Sequence, residues 1–200
     1  MAPYLNSALV HKKLLIILPL VAFVAMAFSP APGPVLAAIR AVAPPPEDEQ
    51  PDINSRLKAL YVFNFTNMIE WPSELKKGPF NIVILGENKN LFNELSKYNS
   101  KSVGTQQIKV SQAADASTIQ AAHILFITKA QSDKIAAMVK KFKSKSTLIV
   151  SEKEGAMKDG SIINFIIRNN RQSYELSKTN ATKHKLIIGK QLTELAVKVE

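Results

Sequence analysis

From residue 52 onward the chain alternates between two hydrophobic periods. INSRLKALYVFNFTNMIE, 53 to 70, repeats apolar residues at three and four: Leu57, Leu60, Tyr61, Phe65, Met68 and Ile69. That spacing predicts a helix lying on a core, with Asp52 as its N-cap and Pro72 as its stop. The residue before a proline is driven out of helical backbone, so Trp71 should leave the helix extended. FNIVILG, 80 to 86, is a short β-branched run closed by glycine and reads as a buried strand. Leu91, Phe92, Leu95 and Tyr98 mark a second helix. QQIKVSQ, 106 to 112, alternates like a half-exposed strand, and a short helix from about Asp115 leads to HILFIT, 123 to 128, another buried strand. Ser132 and Asp133 are placed to cap a helix bearing Ile135, Met138, Val139 and Phe142, and TLIVS, 147 to 151, is a fourth strand.

After that the rhythm changes. SIINFIIRNNRQSYELS, 161 to 177, reads as a hairpin turning at Asn169-Asn170. A helical tail follows, with Leu192, Leu195, Ala196 and Val199 as its stripe. Strand-helix alternation implies crossover connections and a sheet covered on both faces. The expected architecture is a three-layer α/β sandwich, with a mostly parallel mixed sheet and a late antiparallel hairpin.

The first 51 residues follow another logic. Lys12 and Lys13 precede LLIILPLVAFVAMAF, 14 to 28, with small-residue cleavage patterns at Ala25-Met26-Ala27 and Val35-Leu36-Ala37. This is the layout of a bacterial secretory signal peptide over residues 1 to 28. An uncleaved anchor is the alternative, although the run is short of the roughly 20 residues that a bilayer span needs. SPAPGPVLAAIRAVAPPPEDEQP, 29 to 51, is a proline-rich linker, so the folded domain should occupy 52 to 200.

Composition adds limits. The 200 residues contain no cysteine, which excludes disulfides, thiol nucleophiles and cysteine metal sites. The net charge is +10. It favours anionic neighbours, but the densest basic stretch, KKFKSK at 140 to 145, has only Phe142 among its cations and reads as a solvated helix end. Nucleic acid is not an expected partner. His123 opens a buried strand and should be a hydrogen-bonded structural residue. His184 lies between Lys183 and Lys185, and no histidine pair has metal-ligand spacing. Gly86 follows a strand without a second glycine, so it reads as a plain turn and not as a phosphate loop. Glu152, Glu154 and Asp159 form a small acidic loop, read as a solvated connection. No catalytic motif or cofactor motif is present. Asn64 on the first helix and Asn164 within IINFII are polar residues among apolar ones, expected to act as structural polar anchors that tie elements together. Trp71 and Pro72 are the interface candidates, since tryptophan is enriched at binding hot spots.

The order of these pieces resembles the YfiR-like family of exported bacterial proteins. KALYVFNFTNMIEWP (58 to 72) is similar to the family's opening motif, FNIVILG to its first strand, and AHILFIT, LIVSE, the glycine loop and IINFII follow in the family's order. YEL (174 to 176) and LTELA (192 to 196) are similar to its late strand and closing helix. The chain departs from it at three places, four residues in all. Ala122 stands where relatives often carry cysteine, Gly189-Lys190 where they have two serines, and Ser173 where they have arginine. The resemblance implies a periplasmic regulator and not an enzyme. Such a protein binds the periplasmic domain of an inner-membrane signalling protein, typically a diguanylate cyclase, and holds it inactive; release raises cytoplasmic cyclic-di-GMP and promotes surface attachment. A homodimer is compatible with this role, and contact with the membrane is expected only through the signal or anchor segment. The alternative is a periplasmic small-ligand receptor whose site is lined by the loops after Leu85, Thr128 and Val150, where α/β sheets bind ligands.

Overall fold

The computed structural model describes residues 52–200. The signal segment and the proline-rich linker expected for residues 1–51 lie outside the described residues.

The first helix, α1, spans Ile53–Met68. Asp52 caps it: its Oδ1 accepts from the backbone N–H of Asn54 and of Ser55, each at 3.1 Å. Burial alone would raise the Asp52 pKa, but hydrogen bonds from Ser55, Asn90 and Asn54 outweigh it and hold the carboxyl below its ordinary value. The helix stops two residues before the predicted end. Ile69–Glu70 (β1) pairs antiparallel with Ile187–Ile188 (β9), and the Met68 carbonyl accepts from Gly189 N–H at 2.9 Å. A Cβ at Gly189 would stand 2.6 Å from that carbonyl oxygen, so the junction needs glycine.

The buried face of α1 also differs in phase from the predicted stripe. Ser55, Ala59, Val62, Phe65 and Thr66 are buried, whereas Leu60 is 45% exposed. The buried positions 55 and 59 carry small side chains, and larger neighbours pack to either side. Phe63 stacks on Tyr98 at 4.3 Å, while Tyr61 meets Phe165 at 5.9 Å and Tyr174 at 5.5 Å. A helix contacted on both flanks has no single apolar stripe.

The central sheet contains eight strands in the order β10-β8-β7-β6-β5-β2-β4-β3. They are β2 Phe80–Leu85, β3 Ser102–Val103, β4 Gln106–Ala113, β5 Ile124–Ile127, β6 Leu148–Ser151, β7 Ile163–Arg168, β8 Arg171–Leu176 and β10 Lys198–Val199. β4, β2, β5, β6 and β7 are mutually parallel, and the β7–β8 hairpin is antiparallel. Asn169 and Asn170 both have positive φ (50° and 58°), the backbone that a two-residue hairpin turn demands. The fold is therefore the mixed, mostly parallel sandwich that the hydrophobic pattern predicts.

Alternation along the central strands feeds two cores. Ile82, Ile84, Ile124, Phe126, Leu148 and Val150 face a layer that includes α1, α2 (Lys89–Ser96) and α5 (Lys190–Leu195). Val83, Leu85, Leu125, Ile127 and Ile149 face α3 (Ile135–Phe142) through Ile135, Met138 and Phe142. Full burial on both faces explains why these strands read as continuous apolar runs.

Three local expectations are corrected. The helix expected from Asp115 is one tight turn, Ala116–Thr118. Ser132 and Asp133 do not cap α3. They belong to a 3-10 run, Lys129–Lys134, that leads straight into it, and Asp133 pairs with Lys134 at 2.8 Å. The helical tail is interrupted: α4 (Lys178–Lys183), β9, the short α5 and β10 replace it, and Val199 lies in a sheet-edge strand and not on a helix. Among the described residues no helix is long and apolar enough to cross a membrane.

Candidate functional site

A groove of about 790 Å³ opens above the carboxyl ends of β5 and β6. Register explains its depth. β7 pairs with β6 only at Val150–Ile163 and Ser151–Asn164, so Phe165, Ile166 and Ile167 run on past the end of β6 as a wall. The N-terminal half of α1 supplies Asn54 and Lys58 opposite. Between them stands Glu152, the residue after β6. Its Oε2 forms an ion pair with Lys58 and its Oε1 accepts from the backbone N–H of Lys129, just beyond β5, at 3.0 Å. The side chains of Lys58 and Glu152 are only 17% and 13% exposed, so the pair is shielded from water and links α1 to two strand ends. Glu152 is thus a clamp and not part of a solvated loop. Its partner lies 94 residues away in sequence.

Beneath the groove runs one cross-strand row, Ser151–Asn164–Glu175. Asn164 is fully buried. Its Oδ1 accepts from Ser151 Oγ at 2.9 Å and from Lys153 N–H at 3.1 Å, and its Nδ2 donates to Glu175 at 3.1 Å. Ser151 and Ser161 are also buried, with their hydroxyls 2.7 Å apart. The row thereby fixes the hairpin, β6 and the loop after β6 to one another. Asn64, the other expected polar anchor, is half-buried, and its side chain has no hydrogen-bond partner among the described residues.

Four lysines (58, 129, 158 and 198) and four glutamates (152, 154, 175 and 200) line the groove. The lining is balanced, unlike the anion funnel that the net charge suggests. The loops after β5 and β6 contribute Lys129 and Glu152, but the loop after Leu85 does not. Gly86, at φ 99°, is packed so tightly that a Cβ there would lie 2.2 Å from Thr128 Oγ1. Among the described residues no group of three or more His, Asp or Glu could hold a metal ion.

The interface candidates sit at the opposite end of the sheet. Trp71 is 5% exposed, edge-on to Phe80 at 5.0 Å, and its indole N–H has no partner among the described residues. It lines a hollow of about 460 Å³ with Ile69, Phe80 and Val103. Pro72 is half-buried. The surface here is supplied by Glu70, Lys76 and the 64%-exposed Ile187, which pairs with Glu70 across β1–β9. Trp71 is therefore a core residue under this surface, not a projecting anchor.

The histidines differ from each other. His123 Nδ1 accepts from Asn81 N–H at 3.0 Å, and its Nε2 lies 2.9 Å from the Leu75 carbonyl, so the ring is neutral with the proton on Nε2. Burial lowers its pKa, opposed by the Leu75 carbonyl. His184 is 1% exposed, and neither ring nitrogen has a hydrogen-bond partner among the described residues. Burial lowers its pKa, with Lys143 and Lys183 adding to the effect and the Thr147 carbonyl opposing it.

Comparison with known proteins places the fold. A family profile described as YfiR/HmsC-like matches residues 55–197. No curated protein matches the chain. Among solved structures, the chain is similar to a conserved domain protein from Vibrio cholerae O1 biovar El Tor strain N16961. The TM-score is 0.51 at 10% identity, over 71% of this chain and 60% of that one. At that identity the likeness is one of fold.

Proposed function

Because the chain belongs to the YfiR/HmsC-like family, we propose that it is a periplasmic regulatory protein that binds the periplasmic domain of an inner-membrane signalling protein, of diguanylate cyclase type, and holds it inactive. The observation that carries this reading is the family match over residues 55–197, nearly the whole described domain. In the proposal, residues 1 to 28 direct export, 29 to 51 act as the linker, and 52 to 200 form the regulatory domain. Repression follows from differential affinity: a protein that binds only the inactive state of its partner shifts the partner's equilibrium toward that state. We assign the contact to the surface over Trp71 and Pro72, where Ile187, Glu70 and Lys76 offer an apolar centre with charges of both signs at its rim. Deleting the gene in its own bacterium should raise cellular cyclic-di-GMP, and exported wild-type protein should restore the lower level. Unchanged cyclic-di-GMP in the deletion strain would refute the cyclase as partner.

The groove favours a second reading, a receptor for a small polar ligand, because parallel α/β sheets bind ligands at strand carboxyl ends. A saturable thermal shift of the purified full chain with one member of a metabolite panel, lost in Lys58→Ala, would support it.

A further inference from the structure

We propose that the cavity beside His184 is a binding site for a small phosphate-type oxyanion. The cavity is about 130 Å³ and is lined by Val139, Lys143, Gly160, Asn180, Lys183 and His184. It lies between α3 and the end of α4, and shares no lining residue with the groove or the Trp71 hollow. Three features converge there. His184 is buried, and neither ring nitrogen makes a well-formed hydrogen bond among the described residues; the Thr147 carbonyl is near enough to act on one of them, which leaves the other without a partner, a state that native proteins avoid unless a water or ion completes it. Lys143 and Lys183 stand at the mouth. Lys143 forms no ion pair among the described residues, and Lys183 meets only the Asn180 Oδ1, at 3.2 Å. None of the six lining residues is acidic.

Two like charges beside a buried, incompletely bonded imidazole oppose one another unless an anion joins them. An oxyanion would accept from an imidazole N–H and from both ammonium groups, adding charge-assisted hydrogen bonds to groups that otherwise have one partner or none. The Asn180 Nδ2 is already committed to the carbonyls of Met157 and Ser161, both at 2.9 Å, so the floor of the cavity is rigid. Its volume suits a phosphate group and excludes a nucleotide.

The test uses the full chain in phosphate-free buffer. It is titrated with inorganic phosphate and, separately, with phosphatidylglycerol vesicles, which distinguishes a free ion from a lipid headgroup. The His184 ring resonances and the unfolding midpoint are followed. A saturable response to either source is expected in the millimolar range or below, weakened at least about tenfold in Lys143→Ala and Lys183→Ala, the equivalent of one lost charge-assisted hydrogen bond. Both lysines are exposed, so these variants should fold normally even if His184→Gln does not. Absence of a saturable response to both probes overturns the proposal and leaves a water-filled cavity. So does a response unchanged in both lysine variants, which would locate the ion elsewhere.

Discussion

Replacing Asn164 with alanine tests whether the row beneath the groove holds the domain together. Truncation removes an acceptor from Lys153 N–H (3.1 Å) and Ser151 Oγ (2.9 Å), and a donor from Glu175 (3.1 Å). Ser151 keeps Ser161 at 2.7 Å, and half-buried Glu175 can turn to water in the groove. The Lys153 N–H, in a part-buried site, loses its side-chain acceptor. A part-buried donor left without its acceptor costs about 1–3 kcal/mol, and the void left by the fully buried Asn164 amide adds to it, for an expected loss of about 2–4 kcal/mol. In a domain of this size that lowers the melting temperature by roughly 5–15 °C. Asn64→Ala is the internal control: its amide bonds no described group, and alanine is the better helix former, so the change should stay within about 0.5 kcal/mol. The assay is urea unfolding followed by the fluorescence of the single, buried Trp71. A cost below about 0.5 kcal/mol for Asn164→Ala, or equal costs for the two variants, would mean that the row does not hold the hairpin and β6 together.

Other outcomes follow from the same geometry. Tyr174→Phe removes the hydroxyl that donates to the Leu192 carbonyl at 2.7 Å and should cost about 1–2 kcal/mol in the same assay, because it strands a buried acceptor without changing packing. Gly86→Ala combines positive φ with a Cβ 2.2 Å from Thr128 Oγ1, and should cost about 2–4 kcal/mol or prevent soluble expression. The folded-state pKa values of His123 and His184 are both below the ordinary 6.5, so the unfolded chain takes up protons that the folded chain refuses. Their stabilising contribution is therefore present above about pH 6.5 and is lost as pH falls below it. Denaturant midpoints between about pH 7 and 5 should show this decline, with a shallower slope in His184→Gln.

The sheet was legible in the sequence because its central strands are buried on both faces: FNIVILG, HILFIT and TLIVS leave few alternatives to a parallel core. Asn169-Asn170 announced the hairpin through turn chemistry that is local by nature. The phase of α1 was not legible, because tertiary contacts on both flanks, Phe63 on Tyr98 and Tyr61 on Phe165, blur the periodic signal. Nor was the end of that helix, since β1 forms only by pairing with Ile187–Ile188, more than a hundred residues later. The Lys58–Glu152 clamp left no trace either: a glutamate after a strand looks the same whether solvated or paired. His184 was hidden for a related reason. Flanking lysines suggest exposure, but in a short helix end the residue between two exposed neighbours can point inward, and here it does.

We propose that this domain acts by binding a membrane signalling protein. The most direct test places a photo-crosslinking residue at Glu70, Lys76 or Ile187 of the exported full chain in living cells, with mass spectrometry of the captured species. The expected capture is one inner-membrane signalling protein, through its periplasmic domain, from these positions and not from the far end of the sheet at Asn169. Crosslinks only to copies of the chain itself, or none, would contradict it.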